Sequence, residues 1–294
     1  MSKIIKPDVG LITNISYAHA KNFNSLEQIA DAKSEIINNI KKNGSMVLNA
    51  DDSFFFKHKK LALKKKLKIH SFSLNKKNAN VYIKKIFKLK NKFKILVSIN
   101  KKNKLFFINS IFESNLKNIL ASIAVISIFK DVSKLNNNIF YSFKNPNGRG
   151  DISKIKIKRK IIKFVDESYN ANPLSVYSAI KNFDLINNGK GKKNIILGDM
   201  LELGKHSKKL HEKLASVINS SKIDNVHIYG KNIKNTFKKI VPKKKGTILR
   251  HKNDIISLIK NDINNNDYLM IKGSNSTGLY KLSDNLKKGN LHAI

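Results

Sequence analysis

Three polar clusters in the second half of the chain each follow an apolar run that reads as a strand: 166–172 after 161–165, Gly198-Asp199 after 194–197, and Lys272-Gly273-Ser274 after 268–271. In an open parallel sheet, ligands bind outside the carboxyl ends of the strands, so these clusters mark one site. Asp166 stands out among them. A carboxylate closing the run Ile161-Ile162-Lys163-Phe164-Val165 is costly beside a sheet unless it bonds backbone donors or a ligand hydroxyl, as acidic residues do with a nucleotide ribose. Asn172 followed by Pro173 has a plainer alternative, the N-cap and first position of a helix.

The first half offers a lysine in an unusual setting. Lys33 lies four residues after Ile29 and three before Ile36, which puts it on the apolar stripe of a helix. An amine there either snorkels to water or has a lowered pKa. In the second case it can react with carbon dioxide to give a carbamate, an anion able to bind a metal. His19, in the preceding loop, could offer an imidazole to the same divalent ion. Asn115 and Asn118, three apart near a helix start with Ser114 as N-cap, could read a base edge, helix-end solvation being the alternative. Arg149 carries a permanent charged fork that could reach a phosphate held between the halves. The tripeptide Arg149-Gly150-Asp151 is a chance spelling of an adhesion motif.

Those residues require a particular frame. In the first half, strands are expected at 9–13, 46–49 and 68–72, with helices at 25–40 and 53–63, the alternation of a parallel sheet. Short runs of apolar residues alternating with lysine predict a β-meander over 81–108, closed by a helix at 114–129. The turn cluster at 145–150 reads as a linker, dividing the chain into domains 1–147 and 148–294. Beyond it, strands at 161–165, 194–197, 226–229, 247–249 and 268–271 alternate with helices at 173–186, 207–219, 232–240, 254–260 and 279–286. Five such strands predict a doubly wound α/β sheet.

Composition narrows the function classes. The chain has 294 residues with 58 Lys and Arg against 20 Asp and Glu, a formal charge of +38, and no Cys or Trp. A hydrophobic fraction of 41% supports real cores. Without cysteine there is no disulfide scaffold, thiolate zinc site or thiol nucleophile, which fits a reducing compartment. The longest apolar stretch, 119–129, is interrupted by Ser122 and Ser127 and falls short of the ~20 residues a spanning helix needs. No signal-peptide pattern follows Met1, so a soluble cytoplasmic protein is expected. The charge is spread as lysine, in runs such as Lys64-Lys65-Lys66 and Lys243-Lys244-Lys245, rather than gathered into an Arg and aromatic patch. It reads as a solvated surface more readily than as a nucleic-acid site.

Taken in order, these residues resemble one family. Pro7-Asp8-Val9-Gly10-Leu11-Ile12-Thr13-Asn14-Ile15 with Ala18-His19, then Ile29-Ala30-Asp31-Ala32-Lys33-Ser34-Glu35-Ile36, are similar to the central domain of the Mur ligases. Asn49-Ala50-Asp51-Asp52, the Asn115 and Asn118 pair and Gly148-Arg149 continue the resemblance. Three later stretches resemble the branch of the family that adds D-alanyl-D-alanine. They are Asp166-Glu167-Ser168-Tyr169-Asn170-Ala171-Asn172-Pro173, Leu197-Gly198-Asp199-Met200-Leu201-Glu202-Leu203-Gly204 with His211, and Lys272-Gly273-Ser274.

The resemblance implies an incomplete central ATPase-type domain followed by a Rossmann-like, doubly wound C-terminal domain. It implies an ATP-dependent amide ligase of peptidoglycan precursor synthesis, acting in cell-wall biogenesis, cell shape and division. ATP would phosphorylate the carboxylate of UDP-N-acetylmuramoyl-tripeptide, and the amine of D-alanyl-D-alanine would attack the acyl phosphate. Carried over by motif, Lys33 is the carbamylated lysine and His19 a Mg²⁺ ligand, and both are catalytic. Asn115 and Asn118 contact adenine, Arg149 a phosphate or ribose, and Asp166 the ribose. Tyr169, Asn170 and Lys272 contact substrate or phosphate. The family's Gly-Lys-Thr phosphate loop does not occur among these residues. Ser114 stands where relatives often carry His, and Glu167 where Asp is common.

An N-terminally truncated chain, one half of a split enzyme whose separate partner chain supplies the phosphate loop and N-terminal domain, and a decayed relic all fit that pattern. Two readings of other classes stand beside the ligase: a noncatalytic nucleotide- and dipeptide-binding subunit, and a basic nucleic-acid binder.

Overall fold

The computed structural model describes residues 5–90, 92–143 and 145–289. The chain divides into two compact units. One comprises the residues up to Ser16 together with Phe23–Phe143, and the other takes Tyr17–Asn22 and the chain after Phe143. The short segment Tyr17–Asn22 therefore belongs to the second unit, although its sequence neighbours on both sides belong to the first.

The first unit is built on one six-stranded sheet in the order β1-β2-β3-β4-β5-β6. Strands β1 (Val9–Ile12), β2 (Ser45–Asn49), β3 (Lys68–Ser73) and β4 (Val81–Lys88) run parallel. Strands β5 (Phe93–Ile99) and β6 (Lys102–Ile108) complete it as an antiparallel meander. Helix α1 (Leu26–Asn39) starts at Ser25, whose side chain accepts from the Gln28 amide, and buries Ile29, Ala30, Ser34 and Ile37. Helix α2 (Phe55–Lys64) meets α1 where His58 Nε2 lies 3.2 Å from the Ala30 carbonyl oxygen. Helix α3 (Glu113–Phe129) packs Leu116, Ile119, Leu120 and Ile123 against Val47, Phe72, Val97 and Phe106 of the sheet. Its N-cap is Phe112, so Ser114 lies inside the first turn rather than capping it. Ser110 Oγ accepts from the Phe112 amide one step earlier.

The second unit holds a sheet in the order β11-β10-β9-β12-β8-β7. Its parallel strands are β8 (Lys160–Glu167), β9 (Lys193–Gly198), β10 (Asn225–Tyr229), β11 (Lys245–Leu249) and β12 (Tyr268–Lys272). These are the five strands expected from the apolar runs. A sixth, β7 (Asp151–Ile157), forms an antiparallel hairpin with β8 and was not expected, because its alternating Ile and Lys residues follow directly on the linker turn.

Successive residues of the central strands point to opposite faces, and both faces are apolar. Ile195, Leu197 and Met270 meet α4 (Pro173–Leu185) and α5 (Ser207–Ser220) on one side. Ile196, Leu269 and Ile271 meet α7 (Lys252–Asn261) and α8 (Leu279–Lys287) on the other. The short helix α6 (Lys234–Lys239) follows β10. Among the described residues no helix is long and apolar enough to cross a membrane.

Candidate functional site

In the second unit the three motif loops meet at the carboxyl end of the sheet, and Ser274 joins them. Its hydroxyl donates to the Ala171 carbonyl oxygen at 3.2 Å and accepts from the Leu201 amide at 2.9 Å. Its own amide donates to the Asp199 carbonyl at 3.0 Å. One buried side chain thus fastens the loops after β8, β9 and β12. They border a cleft of about 220 Å³ lined by Tyr169, Asn170, Glu202 and Ser276 together with Tyr17 and His19. Asn172 caps α4 in a capping box with Ser175, the plainer of its two readings.

Asp166 is fully enclosed. Its Oδ1 accepts from the amide and hydroxyl of Ser168 at 3.1 and 2.5 Å, and its Oδ2 lies 2.7 Å from Lys287 Nζ, which also reaches Asp151 at 3.1 Å. Partial burial acts to lower the pKa of Lys287, but the hydrogen bonds and charges of these two acidic partners together outweigh it and hold the ammonium above the usual lysine range. Asp166, expected at a ribose, has oxygens that face Ser168 and Lys287 within the unit, and these partners anchor the strand end. Glu167 is the next residue along β8 and projects the other way, its side chain 18% exposed.

Lys272 is held within the unit too. Its buried ammonium donates to the Asn170 carbonyl at 2.9 Å and to the Glu167 carbonyl and carboxylate, each at 3.3 Å. These acceptors all belong to the protein, and through them Lys272 acts as a strut beneath the loop. Burial lowers its pKa against the opposing charge of Glu167, and burial raises that of Glu167 against the charge of Lys272. Asp199 is likewise internal, accepting from the amides of Ile233 and Lys231 and from the Asn232 side chain.

Arg149 and Tyr169 lie together at the exposed rim, the guanidinium 4.8 Å from the ring centroid. Gly148 makes this possible: its φ is +74°, and a Cβ there would stand 2.9 Å from that of Tyr169. Asn170 is exposed, its side-chain oxygen accepting from the Ala171 amide at 2.7 Å.

His19 sits in the Tyr17–Asn22 segment with an exposed side chain, and its Nδ1 is bonded to the Glu202 carboxylate. Beside it, Tyr17 and His206 pack with ring centroids 4.9 Å apart. His211 is buried and committed internally, accepting from the Met200 amide at Nε2 and donating from Nδ1 to the Ser207 carbonyl. Burial pulls its pKa down.

In the first unit, Lys33 lies at the edge of the buried stripe of α1 rather than on it. Although it ranks as exposed, its Nζ turns inward and donates to the Asn14 carbonyl at 2.9 Å. Partial burial draws its pKa below the usual lysine range, opposed by the charge of Asp52. Such an amine has a larger neutral fraction, which is what carbamate formation requires. The Asn49-Ala50-Asp51-Asp52 motif has a structural role. Asn49 donates to the Thr13 carbonyl, Asp51 accepts from Ser73 and the Leu74 amide, and Asp52 accepts from the Ile15 and Phe54 amides. Asn115 and Asn118 lie on the first turns of α3, half-buried and exposed respectively.

Among the described residues no three His, Asp or Glu side chains form a metal cage. Mg²⁺ needs none, since it is commonly held by one or two protein groups with the rest of its shell from phosphate oxygens and water. Lys33 as a carbamate and His19 have the donor chemistry for that role. Sequence reasoning placed Ser274 and Glu202 in motifs without giving either an individual role, and it did not single out Lys287. Each acts through a partner distant in the chain, and neither periodicity nor motif spacing exposes such a pairing.

Comparison with known proteins agrees with this architecture. The Mur ligase middle domain matches residues 1–126, and the Mur ligase glutamate ligase domain matches 154–275. The chain is 30% identical to the UDP-N-acetylmuramoyl-tripeptide--D-alanyl-D-alanine ligase of Buchnera aphidicola subsp. Baizongia pistaciae, over 98% of this chain and 60% of that protein. It is also 30% identical to the ligase of the same name from Rickettsia prowazekii, over 96% and 62%. It spans about 60% of the length of these curated relatives.

Among solved structures, MurF from Acinetobacter baumannii superposes with a TM-score of 0.82 at 24% identity, covering 98% of this chain and 61% of that one. MurF from Thermotoga maritima in complex with ADP gives 0.79 at 23%, covering 98% and 63%. These two likenesses concern the fold. Both domain matches fall in one family, one in each half of the chain, and the chain belongs to the Mur ligases.

Proposed function

We propose that the chain supplies the central and C-terminal parts of an ATP-dependent ligase that joins D-alanyl-D-alanine to UDP-N-acetylmuramoyl-tripeptide. The observation that carries the reading is the joining of three motif loops by Ser274 around one cleft. The named ligases that resemble nearly the whole chain support the choice of substrates.

In this reading the tripeptide carboxylate attacks the γ-phosphorus of ATP, giving an acyl phosphate and ADP. The dipeptide amine adds to the acyl carbon, and the tetrahedral intermediate collapses to the amide and inorganic phosphate. Lys33 as carbamate and His19 would hold Mg²⁺, which when bound would supply charge neutralisation at the phosphate oxygens. Asn115 and Asn118 hold adenine, and Arg149 a phosphate or the ribose. Glu167, rather than the enclosed Asp166, is the carboxylate within reach of a ligand hydroxyl. Tyr169 and Asn170 border the cleft where substrate binds, with Lys272 supporting them from below.

The 294 residues contain no Gly-Lys-Thr loop, so the cradle for the β- and γ-phosphates comes from residues outside them, on the same chain or on another. The UDP-linked precursor sets this chemistry in the cytoplasm. The test is an assay of the complete protein with ATP, Mg²⁺, tripeptide precursor and D-alanyl-D-alanine. Stoichiometric ADP and amide product support the reading, and the absence of ADP with all substrates present overturns it.

A further inference from the structure

The loop after β9 grips the Tyr17–Asn22 segment at three points. Tyr17 packs on His206, and Gly204, at φ +53°, approaches so closely that a Cβ would stand 2.8 Å from the Lys21 carbonyl oxygen. Between these contacts the Glu202 carboxylate bonds His19 Nδ1.

Both residues of that bond hold left-handed backbone, His19 at φ 54° and Glu202 at φ 59°. Such conformations are costly for residues with a Cβ and persist where the surroundings enforce them, commonly at functional sites. Glycine would relieve Glu202, and neighbouring Leu203 and Met200 already fasten the loop to the core. What Glu202 adds is its carboxylate. In a chain with 58 basic residues, that carboxylate is directed at an imidazole.

An ionised carboxylate has no proton to give, so Nδ1 donates and carries the proton, and in the neutral ring Nε2 keeps its lone pair. Metal-binding histidines are oriented in this way by an outer carboxylate.

We propose that Glu202 is a positioning residue that fixes His19 in the Nδ1–H form and turns Nε2 outward as the ligand for a divalent cation. The proposal rests on the reading of His19 as a cation ligand. Orienting the ring is separable from binding the ion, and one experiment distinguishes them.

The complete protein is labelled with ¹⁵N histidine, and ring tautomers are read from two-bond proton–nitrogen correlations at a pH where imidazoles are neutral. His19 is expected in the Nδ1–H form, reverting to the mainly Nε2–H mixture of free imidazole in Glu202→Gly. Glu202→Gln, which keeps an acceptor oxygen, retains Nδ1–H in part. Finding His19 as Nε2–H in the parent protein, or unchanged in Glu202→Gly, overturns the proposal. Mn²⁺ with ADP is then titrated into the same samples. Broadening of His19 is expected, with an affinity weakened roughly 10–100-fold in Glu202→Gly. A sharp His19 signal at saturating Mn²⁺ would instead overturn its role as cation ligand, leaving the tautomer result to stand by itself.

Discussion

Lys272 Nζ donates to the carbonyl oxygen of Asn170 at 2.9 Å, bridging 102 residues of sequence to hold the loop after β8 against the end of β12. Its other acceptors belong to Glu167, so the buried pair and the loop form one unit. Removing the ammonium leaves Glu167 without its counter-charge in a site where burial already disfavours ionisation. Lys272→Met is expected to destabilise the protein by about 3–5 kcal/mol in urea unfolding at neutral pH. Adding Glu167→Gln should recover part of the loss, because the stranded charge is then gone. A single variant as stable as the parent would show that the pair is not coupled.

Ser274 is expected to matter through two backbone groups. Ser274→Ala leaves the Leu201 amide and the Ala171 carbonyl without this partner, at a cost of about 1–3 kcal/mol. Ligase activity should fall by more than the stability loss explains, since the cleft depends on the register of both loops. Parallel denaturation and kcat/KM measurements separate the two effects.

His227 gives the second unit a pH dependence. Burial pushes its pKa down to about 4 from 6.5, with Asp262 opposing weakly; its Nδ1 accepts from the Thr247 amide, and its Nε2 has no hydrogen-bond partner. Because the folded-state value lies below the unfolded one, this stability is fully present above pH 6.5 and is lost as pH falls toward 4. At about 1.4 kcal/mol per pH unit the loss reaches roughly 3 kcal/mol. Unfolding midpoints of the parent should drop between pH 7 and pH 4, and His227→Asn should flatten that slope. Equal slopes would assign the acid sensitivity to other groups.

The Lys33 ammonium donates a hydrogen bond to the Asn14 carbonyl, so Lys33→Gln should cost no more than about 0.5–1.5 kcal/mol of stability. In its proposed role as a metal-binding carbamate it should nevertheless be worth on the order of 10²–10³ in kcat. ¹³C-bicarbonate should give a carbamate carbonyl resonance in the parent and none in Lys33→Gln. A variant retaining full activity would remove Lys33 from the mechanism.

Much of the frame was legible because local signals agreed with burial. β9 and β12 carry the apolar runs 195–197 and 268–271, buried on both faces, and Asn172-Pro173 caps α4 as its residue types require. The faces of the site residues were harder to read. Asp166 and Glu167 are adjacent on β8, and the pleat sends one toward Lys287 and the other toward Lys272, a one-residue difference that residue type alone does not reveal. Hairpin strand β7 escaped notice because its alternation begins inside a turn cluster. The partner of His19 lies 183 residues away, and no periodicity points to it.

The most direct measurement follows oxygen. With ¹⁸O in the tripeptide carboxylate, turnover by the complete protein with ATP, Mg²⁺ and D-alanyl-D-alanine should place one ¹⁸O in inorganic phosphate and leave the other in the new amide. That transfer requires a bond between the carboxylate and the γ-phosphorus. Amide product accompanied by unlabelled phosphate would contradict the acyl-phosphate route and the assignment of this chain as part of such a ligase.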